Sequence, residues 1–173
     1  MVCFHNPDEP NAFLANWYYS DFIASGIKFN SVEQYMMYNK AMIFEDKDTA
    51  QKILNTRDFA YMKKLGREVA GYNDNIWSTH RYNIVKHGVL NKFTQNRELA
   101  QMLLNTEDAI LAECAVRDKI WGIGLSMTDP RRLDQSQWRG TNYLGQILME
   151  VREQLRQINL GCDTNNMTFQ WEG

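Results

Sequence analysis

Apolar and polar positions alternate twice near the start of the chain, over Phe13 to Tyr19 and over Phe22 to Phe29, and Ala24-Ser25-Gly26 interrupts the second stretch. Period-two alternation with a turn signal inside it predicts short strands or a hairpin. At Ser31 the period changes. Ser31-Val32-Glu33-Gln34 has the form of a capping box, in which the Ser31 hydroxyl accepts from a free backbone N–H and Gln34 reaches back, so a helix is expected to run to about Phe44. Glu33 falls in its first turn. Helical spacing recurs over Asp48 to Asn55 and over Asp58 to Arg67, the latter with Phe59, Met62 and Leu65 on one face. A longer pattern, about Asp74 to Phe93, brings Trp77, Ile84, Val85, Val89, Leu90 and Phe93 near one side. Asn96 is placed to cap a further helix with Leu99, Met102 and Leu103 inward.

Ala109 to Cys114 is a short apolar run, which periodicity alone does not assign; we read it as a strand. Residues 121–141 are rich in Gly, Pro, Asp and Arg and form the longest stretch without a period, a length at which loops carry function or are disordered. A last helix is expected from Asn142 to about Ile158, with Leu144, Ile147, Leu148, Val151, Leu155 and Ile158 on its apolar side. Beyond it, residues 161–173 read as a polar tail in which Phe169 and Trp171 either dock or stay free. No repeat or linker divides the chain. The expected architecture is a single α+β unit over residues 1–160, helix-rich with a few short strands.

Composition narrows the classes of function. The chain has 173 residues, 44% of them apolar, enough for one ordinary core. A formal charge of −2 provides no broad basic field of the kind that coats DNA non-specifically, though a local groove remains open. Cys3, Cys114 and Cys162 are odd in number and far apart, which fits neither a disulfide framework nor a zinc pattern and suits a reducing compartment. The start lacks the basic and apolar regions of a signal peptide, and no run approaches a membrane span. The expected location is the cytoplasm, or the nucleus in a eukaryote.

The motifs of a serine-hydrolase elbow, a zincin and a P-loop are all missing from the sequence. His80 and His87 are seven residues apart, not the four that let two helical histidines share a metal, so no metal is expected. Carboxylates and aromatics remain. Glu33 in a first helical turn has a structural explanation, since the helix dipole favours a negative charge there by about 0.3–1 kcal/mol. The same field favours the ionised form unless burial opposes it, which suits a base, nucleophile or cation stabiliser rather than a proton donor. Trp77 reads either as core or as a wall for a planar ligand. Asp118 reads as a solvated turn residue, yet it leads into Ile120-Trp121-Gly122-Ile123-Gly124, where glycine lets backbone approach a ligand. Arg131, Arg132 and Arg139 are either solvated or phosphate ligands, and Asn142 either caps the last helix or turns its amide to a ligand.

Several segments, in order, resemble the NADAR, or YbiA-like, family of N-glycosidases. They are Phe13-Leu14-Ala15-Asn16-Trp17, Ser31-Val32-Glu33-Gln34-Tyr35, Asn39-Lys40-Ala41, Lys64-Leu65-Gly66-Arg67, Trp121-Gly122-Ile123-Gly124 and the stretch from Asn142-Tyr143-Leu144-Gly145 to Arg152. Each is weak alone; the ordered set, over roughly residues 12 to 156, is specific. The resemblance implies a YbiA-like fold and hydrolysis of a bond between a ribosyl carbon and a nitrogen, without a cofactor. It implies an essential glutamate, tryptophan and aspartate, matched here by Glu33, Trp77 and Asp118. Asn16, Trp121, Gly122 and Asn142 are then expected around the substrate, with Lys40, Arg131, Arg132 or Arg139 on its phosphates. The substrate classes implied are ADP-ribose attached to guanine, in DNA, RNA or a nucleotide, and the early ribosylamino-pyrimidine phosphates of riboflavin synthesis. A different class of reading is a non-catalytic module that binds ADP-ribose or nucleic acid.

Overall fold

Ser31 starts the first helix as the capping box requires. In the computed structural model, which describes residues 1–165, its hydroxyl accepts from Gln34 N at 3.1 Å at the head of α1 (Val32–Ile43). Gln34 Oε1 takes the backbone N–H of Asn30 at 2.8 Å, one residue before the cap. Its amide then donates to the carbonyls of Ile53, Leu54 and Thr56. Those carbonyls lie at and just past the end of α2 (Lys47–Leu54), where they have no partner within the helix. One buried glutamine thus joins the start of α1 to the end of α2.

The remaining helices follow the expected periods: α3 (Phe59–Arg67), α4 (Asp74–Thr94) and α5 (Arg97–Leu104). Asp58 and Asn73 cap α3 and α4. Asn96 does not cap α5; its amide donates instead to the carbonyls of Asp21 and Lys92. Met102, expected inward, is exposed, while Leu103 is fully buried. The last helix, α6 (Tyr143–Asn165), runs past the expected end and takes in the first residues assigned to a tail. Phe169 and Trp171 lie outside the described residues.

Among the described residues, four short strands complete the fold. β1 (Val2–Phe4) pairs in parallel with β4 (Leu111–Glu113), as read for the Ala109–Cys114 run. β2 (Phe22–Ala24) and β3 (Ile27–Phe29) form an antiparallel hairpin, whose turn residues Ser25 and Gly26 both have positive φ, as a two-residue turn demands. Phe13 to Tyr19 is not a strand. Its start is a 3-10 turn over Ala12–Leu14, because the fully buried Lys92 donates to the carbonyls of Phe13 at 2.7 Å and Ala15 at 3.1 Å and draws the chain inward there. The result is the expected helix-rich α+β architecture. α1 packs against α2, α3 and α4, α4 against α6, and α6 against β4. The main core gathers Phe4, Phe29, Val32, Val89, Phe93, Leu111 and Leu148 around that arrangement.

Residues 121–141 are ordered by contact with β4. Ile123 N donates to Glu113 O, Arg139 N to Ile123 O and Asn142 N to Gly122 O. Two 3-10 turns, Pro130–Leu133 and Gln135–Gln137, project from that base. Among the described residues no helix is long and apolar enough to cross a membrane.

Candidate active site

The first turn of α1, the inner side of α3 and the end of β4 enclose a cavity of about 230 Å³. Asn16 and Trp17 enter it from the turn before β2, Glu33 and Lys40 from α1, and Lys63 and Arg67 from α3. Glu113, Asp118 and Trp121 close the remaining wall. Of the residues singled out in the sequence, the fold brings together Asn16, Glu33, Lys40, Asp118 and Trp121.

Glu33 is held by its backbone, whose N–H donates to the Asn16 carbonyl at 2.8 Å, and its side chain is almost fully buried. Burial raises its carboxyl above the usual range; Lys63 opposes this and Asp118 adds to it. The sequence alone favoured the ionised form through the helix dipole. That effect is worth no more than about 1 kcal/mol, and taking a carboxylate out of water costs more.

Glu113 closes the three-residue strand β4 and is also buried. Its carboxyl is pushed up to about 8, first by burial, then by Asp118 and Glu33, with Lys63 acting against them. Its Oε2 is inaccessible and has no hydrogen-bond partner, and the same holds for Asn16 Oδ1 in the same wall. Buried polar atoms are mostly paired, and His5, Arg81, Arg132 and Gln154 also carry such an orphan, but Glu113 and Asn16 bring theirs to the wall of one cavity, which makes that cavity a candidate ligand site. Asp118 has an anchored oxygen: Oδ1 accepts from the N–H groups of Ile120 and Trp121 at 2.9 and 2.8 Å.

Other expected residues stand back from the cavity. Trp77 is core, buried behind Lys40, whose Nζ lies 5.9 Å from its ring centroid and 4.1 Å from that of Tyr72. The Lys40 ammonium also donates to the Gly66 carbonyl at 2.5 Å. Gly122 supports the site from beneath: a Cβ there would lie 2.8 Å from Glu113 O, so only glycine allows the contact. Asn142 neither caps α6 through its side chain nor faces a ligand. It is buried with a φ of 56°, and its amide clamps β4, accepting from Glu113 N at 3.1 Å and donating to Leu111 O at 2.8 Å.

The loop arginines do not line the cavity. Arg131 forms a two-pronged pair with Asp129, Arg132 donates to the Asp129 carbonyl, and Arg139 packs its Cβ and backbone beside Gly124. The cations at the cavity are Lys40, Lys63 and Arg67. Trp17, Lys63, Arg67 and Glu113 line the cavity without having been given a site role by the sequence reading. For Glu113 a signal existed, a glutamate within an otherwise apolar run that becomes a strand buried on both faces.

Two grooves adjoin the cavity and share Trp17 with it. One, of about 480 Å³, is lined by His5, Lys63, Glu113, Arg117 and Asp118. The other, of about 690 Å³, is mainly aromatic, with Tyr18, Tyr19 and Phe59 beside His5.

The NADAR domain model matches residues 3–156. An N-glycosidase of Acanthamoeba polyphaga mimivirus is 40% identical over 127 residues, covering 73% of this chain and 75% of that protein. A riboflavin biosynthesis protein of Vibrio vulnificus is 35% identical over 156 residues, or 90% of this chain, but the match spans only 39% of its own length. The solution structure of Escherichia coli YbiA superposes with a TM-score of 0.77 at 23% identity, over 99% of this chain and 90% of that one, which establishes the shared fold. The six segments picked out in the sequence and the helix-rich architecture therefore have one explanation: the chain belongs to the NADAR domain family.

Proposed function

We infer that this chain hydrolyses the bond between ADP-ribose and a guanine base, in nucleic acid or as a nucleotide. It is an enzyme of the N-glycosidase class, as its relatives are named. The observation that carries the finer reading is the form of the site. A chamber of about 230 Å³ is suited to a single ribosyl unit, and grooves of about 480 and 690 Å³ lie beside it. Such a layout suits a substrate that extends from the sugar in more than one direction, and pockets for extended ligands commonly run to about 300–1,000 Å³.

Cleavage of a glycosidic bond develops positive charge on the sugar. A carboxylate beside the anomeric carbon stabilises that charge and directs a water to it. Glu33 has this role. The positive charge that grows on the sugar favours the ionised form of Glu33 and opposes the burial that raises its carboxyl. Asp118, anchored through Oδ1, positions the water or a ribose hydroxyl. Trp121 and Trp17 offer planar faces, and Lys40, Lys63 and Arg67 hold phosphate oxygens in the role the sequence had assigned to the loop arginines.

The alternative substrate, a ribosylamino-pyrimidine phosphate, is favoured by the Vibrio vulnificus relative, whose similarity runs over 90% of this chain. Purified protein is to be incubated with an oligonucleotide carrying ADP-ribosylated guanine and, separately, with the pyrimidine substrate. Release of free ADP-ribose by the unaltered protein and its loss in Glu33→Gln support the reading. Turnover of the pyrimidine alone replaces it, and tight binding without turnover of either overturns it.

A further inference from the structure

Glu113 has its backbone held at three points and its carboxyl at none. Its N–H donates to Asn142 Oδ1 at 3.1 Å, and its carbonyl accepts from Ala115 N at 3.0 Å and Ile123 N at 2.8 Å. Gly122 has no side chain to push that carbonyl away. Yet Oε2 is buried without a partner. A buried carboxyl that served only the fold would be paired, because an unpaired one costs stability and contributes nothing to packing that a leucine would not. The framework thus fixes Glu113 in place and leaves its reactive end free.

Its location also matters. Glu113, Lys63 and Asp118 line both the small chamber and the groove of about 480 Å³ beside it. A sugar in the chamber with its base in the groove has the connecting C–N bond crossing the boundary at Glu113. Of the three carboxyls, Asp118 already accepts two backbone N–H groups, and Glu33, though raised by burial, stands in the first turn of a helix whose dipole offsets part of that cost. Glu113 has neither kind of support for a charge.

We propose that Glu113 is the general acid that protonates the departing nitrogen. The proposal rests on the ribosyl-hydrolase reading given above. As the bond from the anomeric carbon to nitrogen breaks, its electron pair stays on nitrogen, which takes the proton from the Glu113 carboxyl. A water forms the new bond to the anomeric carbon and gives its proton to Glu33. Solvent then carries that proton from Glu33 back to Glu113, so each turnover consumes one water and yields a free sugar hydroxyl and an N–H on the base. The ionisable groups that line the two cavities with Glu113 are Glu33 and Lys40 on α1, Lys63 and Arg67 on α3, Asp118 and Arg117 after β4, and His5 after β1; of these, Asp118 and Glu33 raise its carboxyl and Lys63 lowers it. Burial among them pushes the Glu113 carboxyl up to about 8, so it carries a proton at neutral pH.

The test is the pH dependence of kcat for the unaltered protein, Glu113→Gln, Glu113→Asp and Glu33→Gln, on whichever of the two substrates above is turned over. The unaltered enzyme is expected to lose activity above about pH 8. Glu113→Gln should lower kcat by about 10²–10⁴-fold with little change in KM and abolish that alkaline decline, since general acid catalysis contributes about that much. Glu113→Asp keeps an acid on a shorter arm and should recover part of the rate together with a decline at high pH. Melting curves of each variant identify any that fails to fold, and the Asp variant then decides. An unaltered alkaline limb, or a loss of less than tenfold in a folded Gln variant, overturns the proposal and leaves the hydrolase reading standing. If the unaltered protein turns over neither substrate, the hydrolase reading fails and the proposal falls with it.

Discussion

Two buried glutamates face one chamber from unlike supports. Glu33 sits on α1, a helix whose start is encoded in four consecutive residues and whose cap forms without help from the rest of the chain. Glu113 sits at the end of a three-residue strand that pairs with β1, more than a hundred residues away, and Asn142 clamps its backbone. The contrast shows how the site divides its work. Burial raises both carboxyls, but the helix offsets part of that cost for Glu33, whereas the strand end offers Glu113 nothing comparable. Two groups of identical chemistry are thereby made different, as enzymes that need both an acid and a base require.

The largest effect should come from the helix side. Glu33→Gln is nearly isosteric but cannot carry charge, so kcat should fall by about 10³-fold or more, on the order of 4 kcal/mol of transition-state stabilisation. Stability should hold or rise, because a buried carboxyl is being replaced by a neutral amide. A single-turnover rate and a melting curve on the same preparation check both. If Glu33→Gln instead unfolds the protein, Glu33 serves the fold more than the reaction.

Breaking the clamp is the corresponding experiment on the strand side. Asn142→Ala leaves Glu113 N and Leu111 O buried without partners and puts alanine, which tolerates the left-handed region less readily than asparagine, at a φ of 56°. The expected loss is about 3 kcal/mol, read by urea denaturation. Activity should fall as well, since the Glu113 carboxyl loses its fixed position. A stability change below about 1 kcal/mol would show that β1 alone holds β4 in place.

The comparison can also be read in the pH dependence of stability. Glu113 has a folded value of about 8 against an unfolded value near 4.5. The folded state therefore binds the extra proton between those limits, and the stability it brings is complete below about 4.5 and lost as pH rises through about 8. Lys92 has the opposite slope: its ammonium is lowered to about 7 by burial, so its contribution is present above its unfolded value near 10.5 and lost as pH falls through 7. From pH 5 to 7 Lys92 is mostly charged in both states, and the decline comes from the raised carboxyls of Glu113 and Glu33, partly opposed near pH 7 by the Cys3 thiol, which is lowered to about 6. Glu113→Gln should reduce the decline in unfolding free energy over that interval by about 2 kcal/mol. An identical decline in the variant would mean that Glu33, whose carboxyl burial also raises, carries it instead.

Local patterns in the sequence account for much of the molecule. The capping box, the helical periods and the hairpin turn each depend on residues within a few positions of one another, and α1 to α4 lie within a residue or two of where those patterns place them. Local spacing also puts Glu33 in a first helical turn, but the family resemblance, not the spacing, marks it for the site. What escaped depends on distant partners. The 3-10 turn at Ala12–Leu14 follows from a lysine 79 positions along the chain, β1 is too short to show a period, and Glu113 acquires its properties only when α1, α3 and the segment after β4 close around it. Trp77 takes the core reading of the two that the sequence left open, whereas Asn142 takes neither of its two, because clamping a strand leaves no mark in local spacing.

The smallest expected effect separates the two groups of cations. Residues 121–141 carry three arginines and were the natural place to expect phosphate contacts, but Arg131 is engaged by Asp129 through Nε at 2.9 Å and Nη2 at 2.6 Å, on an exposed turn away from the cavity wall. Among the described residues Lys63 makes no such pair, and it lines both the chamber and the adjoining groove. Lys63→Ala should therefore raise KM by about tenfold for a phosphate-bearing substrate, the scale of one charge-assisted hydrogen bond. Arg131→Ala should leave kcat and KM within about a factor of three, as expected when one member of an exposed ion pair is removed. Steady-state kinetics on the two variants at a single ionic strength decide the matter. If Arg131→Ala proves the more damaging, the long loop closes over the substrate, and the phosphates lie on its side of the site rather than beside α3.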